Sequence, residues 1–403
     1  MERIAVVGMG SRFFTLFAKR LKNNYPDRAK IVGVCDTNRV RCEYYRDTID
    51  ADVAIFDNFD KMLDELKPDS VIVATPDCYH HEYIIKALKK GYPVYSEKPM
   101  TTTEESCLAI RKAEKETGKS VTVTFNCRFM PYYARIKELL MNGAVGRVLS
   151  IHYEYQLDTK HGGDYFKRWH RSIETSGGMM VHKATHHFDI VNWLLDDDPE
   201  RVSAQARRLY YGNDDRPHGE RCSTCQYAKT CHSYEAHHEK TGTQNLFFKA
   251  EHVDGYVRDH CVFKPDTNIY DTMSVSVGYK KGTLLTYTLD MYSPREGYNM
   301  TIYGTEGRIE ASTFFGDKDT YKIILTKHTG EVQEIIFPAA AGTHAGGDDR
   351  MLAMFFGGVK DDPLGQCSDS FDGAKSAMIG IAANRSIKEG VAVDLTPILD
   401  KMR

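Results

Sequence analysis

The chain reads as an α/β protein in two parts. Residues 1–125 form a domain around a doubly wound parallel sheet. Residues 126–403 form an α+β domain with a large, mainly antiparallel open sheet. Three observations predict this. An apolar run at 4–7 meets a glycine turn and then apolar residues at helical spacing, Phe14, Phe17, Ala18 and Leu21. Further short apolar runs at 31–35, 70–74, 94–98 and 121–125 alternate with helical patterns, which implies parallel strands joined by right-handed crossovers. From residue 147 onward, period-two segments recur, several of them following one another across glycine turns with no intervening helix, the pattern of antiparallel pairing.

Length and charge narrow the function. The 403 residues suit two domains of ordinary size. A net charge of -3 with 27% charged residues provides no basic field for nucleic acid. No apolar run reaches the ~18 residues of a membrane span. Met1-Glu2-Arg3 leads straight into a strand, without the apolar core of a signal peptide, so a cytoplasmic location is expected. The ten cysteines are then reduced thiols or metal ligands rather than disulfides.

The first strand, the turn Gly8-Met9-Gly10-Ser11-Arg12-Phe13 and the following helix make a dinucleotide-binding Rossmann opening. Gly8 permits the tight turn, Gly10 lets a pyrophosphate approach the backbone, and the helix start supplies N–H groups. Phe13 stands where a third glycine is usual. The second strand ends in Asp36, followed by Thr37 and Arg39, and an acid there takes ribose hydroxyls and disfavours a 2′-phosphate. NAD is the expected cofactor, with NADP left open by Arg12 and Arg39. The strand at 70–74 ends in Thr75-Pro76-Asp77-Cys78-Tyr79-His80. The strand at 94–98 runs into Glu97-Lys98-Pro99, which puts Lys98 at the carboxyl end of the sheet, where ligands bind. The run Thr101-Thr102-Thr103 before Glu104 and Glu105 predicts a capped helix start.

Taken together, the glycine turn, Thr75-Pro76 with His80, Glu97-Lys98-Pro99, and Asn126-Cys127-Arg128-Phe129 with Pro131 resemble the Gfo/Idh/MocA family of oxidoreductases, over essentially the whole chain. The resemblance implies a Rossmann domain, an open-sheet second domain, a tightly held nicotinamide cofactor, sugar or cyclitol substrates, and a homodimer or homotetramer built on the sheet face. Cofactor contacts are expected from Gly8, Gly10, Ser11, Arg12, Phe13, Asp36, Thr37, Arg39, Thr75, Pro76, His80, Glu97, Lys98 and Asn126.

In the second half, strands are expected at 147–158, 202–210, 273–279, 283–289, 299–303, 308–311 and 321–326, and a helix over 370–388. Paired glycines 177–178 open a helix with His182 and His186 four apart on one face. The family pattern there is an aspartate followed by a histidine, so His186 matches and His182 departs. Lys183 adds a cation. Oxidising a secondary alcohol needs a base near neutrality and a cation for the alkoxide, so His186 is the candidate base, His182 its assistant or a substrate ligand, and Lys98 the cation. The segment 160–171, with His161, Trp169 and His170, reads as a polar loop that either contacts a sugar or only covers the surface. His344 and Asp348, at a second glycine-rich turn, are further substrate candidates, or simply a helix cap.

An insertion at about 212–269 holds Cys222-x-x-Cys225, Cys231 and Cys261. Four thiolates suit a structural zinc, or an iron–sulfur cluster, and the other reading is four free thiols. The leading functional reading is an NAD-dependent dehydrogenase. The alternatives are a glycoside-cleaving enzyme working by transient oxidation and elimination, and a non-enzymatic cofactor-binding regulator.

Overall fold

The computed structural model describes residues 1–213, 215–314, 320–338 and 343–403. Its first sheet contains β1 (Glu2–Val7), β2 (Ala29–Cys35), β3 (Ala54–Phe56), β4 (Ser70–Val73), β5 (Val94–Ser96) and β6 (Val121–Val123). The second contains β7 (Val148–Asp158), β8 (Pro199–Arg207), β9 (Thr272–Tyr279), β10 (Leu284–Ser293), β11 (Gly297–Gly304), β12 (Gly307–Phe314), β13 (Thr320–Lys327) and β14 (Val332–Pro338). The two-residue strands β15 (Ser368–Asp369) and β16 (Val393–Asp394) join the first and second sheets respectively.

Strand order in the first sheet is β15-β6-β5-β4-β1-β2-β3. Its six N-terminal strands are parallel and only β15 runs against them. The order reverses between β1 and β4, which opens a crevice at their carboxyl ends. Four of the first strand's six residues are fully buried, as a strand covered on both faces requires. β3 escapes a reading of apolar runs because it is a three-residue, half-buried edge strand. Thr103 caps the helix Glu104–Thr117, its hydroxyl accepting from the Ser106 N–H.

The second sheet has the order β14-β13-β12-β11-β7-β10-β9-β8-β16. Every neighbouring pair is antiparallel except β7 with β10. Alternating burial along β9 leaves one face to the core and one to solvent. The helix Ser370–Glu389 covers β8 on the core side and packs against the helix Thr185–Leu195.

The boundary near residue 126 is not a clean cut. β15 extends the first sheet, and Met351, Leu352 and Phe356 of the helix Gly347–Phe356 enter the core beside β1. Arg128 is bidentate to Asp189, at 2.9 and 2.6 Å, and reaches Asp372 at 3.2 Å, tying the segment after β6 to both helices of the second domain.

Two local readings are corrected. Segment 160–171 is not a loop but the helix Thr159–Lys167 followed by a turn, Trp169–Arg171. Gly162 is there because the helix lies so close to β10 that a Cβ on it would stand 1.8 Å from the Met291 carbonyl oxygen. Nor do His182 and His186 share one unbroken helix. Met179–His182 ends at Lys183, and a new helix starts at Thr185.

Candidate active site

The site forms where the carboxyl ends of β1, β4 and β5 meet the segment 177–187. Gly8, at φ +92°, brings its turn against β4, and a Cβ there would lie 2.4 Å from the Ala74 carbonyl carbon. No atom lies within 4 Å of the place a Cβ on Gly10 would take, so that side of the turn is open. The Asp36 carboxylate accepts from the Met9 N–H at 2.7 Å and the Asn38 N–H at 2.8 Å, locking the glycine turn to the end of β2. An open glycine turn with a fixed carboxylate beside it fits the pyrophosphate and ribose of a dinucleotide. Ser11 begins the helix after Gly10, and Thr37 is exposed.

Several expected cofactor residues have other partners. Phe13 is fully buried, 5.3 Å from the Tyr45 ring, so only its backbone faces the turn. Its size fills the core gap where a glycine would let helix and strand approach. His80 is buried with both ring nitrogens 2.8 Å from carbonyl oxygens, of Pro99 and Thr75, so it staples the Thr75-Pro76 turn to the Lys98-Pro99 turn and has no nitrogen left for a ligand. Lys98-Pro99 is a cis peptide. Arg12 pairs with Glu97 at 3.1 Å and Asp348 at 3.5 Å, and the buried Asn126 amide donates to the same Asp348. Arg39 is exposed and pairs with Glu43 at 2.9 Å.

At the centre, the Lys98 ammonium donates to the His182 carbonyl oxygen at 3.0 Å. His182 Nδ1 meets the carboxylate of Asp77, which follows Thr75-Pro76 from the other domain. Burial pushes Asp77 well above the usual carboxyl range, while Lys98 pulls it back. Burial, and then Lys98, hold His182 well below the ordinary histidine range. The Nδ1–Asp77 contact shares one proton, and with the Lys98 ammonium opposing the effect of burial on Asp77 we assign that proton to Nδ1, so that a neutral imidazole donates to an ionised carboxylate and Nε2 keeps a free lone pair. Burial also brings Lys98 down to about 8, despite Asp77 and Glu97.

His186 is buried, its Nδ1 has no partner, and burial followed by Lys98 and Lys183 keeps it neutral. The His344 ring is 6.4 Å away, and its Nδ1 lies 3.2 Å from Asp348. His344 and Ala345 both have positive φ, at 51° and 48°, a strained turn that aims His344 at the cleft. The buried Lys183 ammonium lies 4.9 Å from the Tyr155 ring. His170 stacks on Trp169 at 3.7 Å and meets the His182 ring at 4.2 Å. His161 bridges Glu296, at 3.0 Å, and the Tyr165 hydroxyl, at 3.1 Å.

Of the side chains gathered here, one had no role in the sequence reading. Asp77 was quoted within its motif but given no role. A carboxylate two residues past a strand end, in a motif already tied to the site, was the available signal.

The cysteine cluster does not assemble as expected. A tetrahedral thiolate site needs sulfurs about 3.8 Å apart. Among the described residues, the one group of three close ligand-type side chains is Asp164, Glu235 and His237, so no three of the Cys222, Cys225, Cys231 and Cys261 sulfurs lie within 4.8 Å of one another. The four thiols do share one region of the insertion, with Cys261 near enough to Cys222, Cys225 and Cys231 to interact with each, but they do not close to ligand distances. The acidic group itself is occupied by Lys167 and Arg258, each at 2.8 Å.

Fold and glycine turn together define a protein of the dinucleotide-binding Rossmann class, with a lysine and several buried histidines gathered where that domain meets the open-sheet domain. The chain belongs to the Gfo/Idh/MocA oxidoreductase family. Residues 2–125 match the family's NAD-binding Rossmann fold and residues 137–395 its C-terminal alpha/beta domain. It is 36% identical to the "Putative oxidoreductase YteT" of Bacillus subtilis, over 97% of this chain and 96% of that protein. It is 32% identical to the scyllo-inositol 2-dehydrogenase (NAD(+)) of the same organism, over 51% of this chain and 58% of that one. Among solved structures, an oxidoreductase from Thermotoga maritima superposes with a TM-score of 0.68 at 21% identity, over 98% of this chain and 99% of that one.

Proposed function

We propose that this protein is an NAD-preferring dehydrogenase of a secondary hydroxyl on a sugar, glycoside or cyclitol. The observation that carries the reading is the junction of Asp77, His182 and Lys98 at the crevice where the two domains meet. When bound, the nicotinamide accepts the hydride. His182 Nε2 takes the hydroxyl proton, and Asp77 holds the ring in the tautomer that leaves that nitrogen free. Lys98 stabilises the negative charge that grows on the substrate oxygen. His182 is thus a better base than His186, because an orienting carboxylate serves it and none serves His186. Lys183, Trp169, His170 and His344, close to His182 or His186, with His161 behind Tyr165, suit a polyhydroxylated ring, which needs hydrogen-bonding groups beside aromatic faces. The Asp36 carboxylate favours NAD, and both arginines that left NADP open already hold carboxylates.

A screen of inositols, free sugars and glycosides, read by NADH absorbance and by product analysis, tests this. NADH formation that is lost in Lys98→Ala and Asp77→Asn supports it. Absence of both NADH and product across the panel counts against an enzyme of this class. One observation favours a second reading. His186 is another neutral imidazole in the same cleft, and a sequence of oxidation, elimination and re-reduction needs a second proton-transfer group. Product release without net NADH would select that reading.

A further inference from the structure

The cysteine-rich insertion does not stand apart as a separate module. Its segment at 244–256 lies over the far end of the cofactor domain, beside Asp36. Asn38 caps the helix Arg39–Thr48 by accepting from the Val40 N–H, and its own amide donates to the Ala250 carbonyl at 2.8 Å. Arg41, nine-tenths buried, is held on every side. Its Nε donates to the Leu246 carbonyl at 3.1 Å, Nη1 reaches Asp36 at 3.4 Å, and Nη2 pairs with Asp254 at 2.6 Å. The rings of Phe247 and Tyr256 lie 5.7 and 5.8 Å from its guanidinium.

The carboxylate at the end of the second strand receives the adenosine ribose in a Rossmann domain, and a nearby arginine is what accommodates a 2′-phosphate. Arg41 is the arginine nearest Asp36. Left alone, it would offer NADP a buried guanidinium. Asp254 removes that offer: two carboxylates now share one guanidinium, so the net charge beside the ribose is negative. From this arrangement we infer that the insertion forms one wall of the adenosine end of the cofactor site, and that Asp254 is a cofactor-specificity residue acting through Arg41. The inference rests on the dinucleotide reading of the crevice. It adds a determinant about 220 residues from Asp36 along the sequence.

Affinities of the full chain for NAD and NADP, by calorimetry, test it. Asp254 is on the surface, so Asp254→Asn keeps the fold and frees Arg41. The ratio of the two dissociation constants should move towards NADP by about tenfold or more, the size of one charge-assisted hydrogen bond. Adding Arg41→Ala should cancel that gain. An unchanged ratio in Asp254→Asn overturns the role of Asp254. Equal affinities in the unmodified protein would instead refute the reading of Asp36, and a shift on substituting Asp254 would still support the inference. A second measurement needs no variant. NAD should slow hydrogen exchange of the amides at 246–256, and no protection there would overturn the wall.

Discussion

At the scale of single residues, the chemistry depends on which protonation states burial selects. Lys98 titrates at about 8, lowered by burial. Its ammonium is present below that value and lost as pH rises through it, so kcat/KM should fall on an alkaline limb near pH 8. Lys98→Arg, charged at all working pH values, should abolish that limb in whatever activity survives. His182 must be neutral to accept a proton, and burial keeps it so to well below its ordinary 6.5. The acid limb should therefore lie on the acid side of neutrality, not at it. Lys98→Ala should lower kcat by ~10²–10³-fold, the usual contribution of a preorganised donor to a developing oxyanion. Asp77→Asn leaves shape intact but no longer fixes the His182 tautomer, and should cost ~10²–10⁴-fold, the range of a general base. Full activity in Asp77→Asn would return the role of base to His186.

Among the elements, close approach and capping decide what the sequence can tolerate. The helix Thr159–Lys167 carries His161 and Tyr165, and it starts where the Asp158 carboxylate accepts from the Lys160 and His161 N–H groups. Because a Cβ on Gly162 would meet the Met291 carbonyl, Gly162→Ala must push the helix off β10. Overpacking of this kind costs ~1–3 kcal/mol, which thermal unfolding would show as a lower Tm, and KM should rise as the cleft wall moves. A variant with unchanged Tm would show that the helix yields freely. Thr103→Ala should cost about 1 kcal/mol through loss of a cap, with kcat unaffected, since the helix Glu104–Thr117 lies behind Lys98 rather than in the cleft.

For the whole molecule, the link between domains and the free face of the second sheet matter most. Arg128 and Asp189 are both buried, so Arg128→Met would strand a carboxylate in the core. Breaking a buried pair from one side typically costs ~3–5 kcal/mol, and denaturant unfolding should show a loss of that order. On the second sheet, strand register places Leu284 opposite Ser150, Ser150 opposite Tyr303, and Val332 and Ile336 further along the same face. Leu284, Val332 and Ile336 are each about three-fifths exposed. The homo-oligomer implied by the family resemblance would bury this face. Light scattering should then give a dimer or tetramer, and Leu284→Lys with Ile336→Lys should shift it towards monomer. A monomeric unmodified chain at micromolar concentration would refute that assembly.

The glycine turn, Asp36 at the end of β2, Lys98 at the end of β5 and the period-two alternation of β7 to β13 were all legible in the sequence, because each is a local pattern of turn chemistry or periodicity. The short edge strand β3, the end strand β14 and the helix hidden behind Gly162-Gly163 were not. Their identity comes from neighbours that cover, pair or crowd them. The same holds for function. Residue types and spacing pointed to the cofactor, the cation and the two histidines. Only the tertiary structure brought Asp77 to His182 from 105 residues away, kept the four sulfurs from closing to ligand distances, and laid Asp254 against Arg41. Charge pairing and desolvation act through space, and the chain order does not record which carboxylate will meet which base.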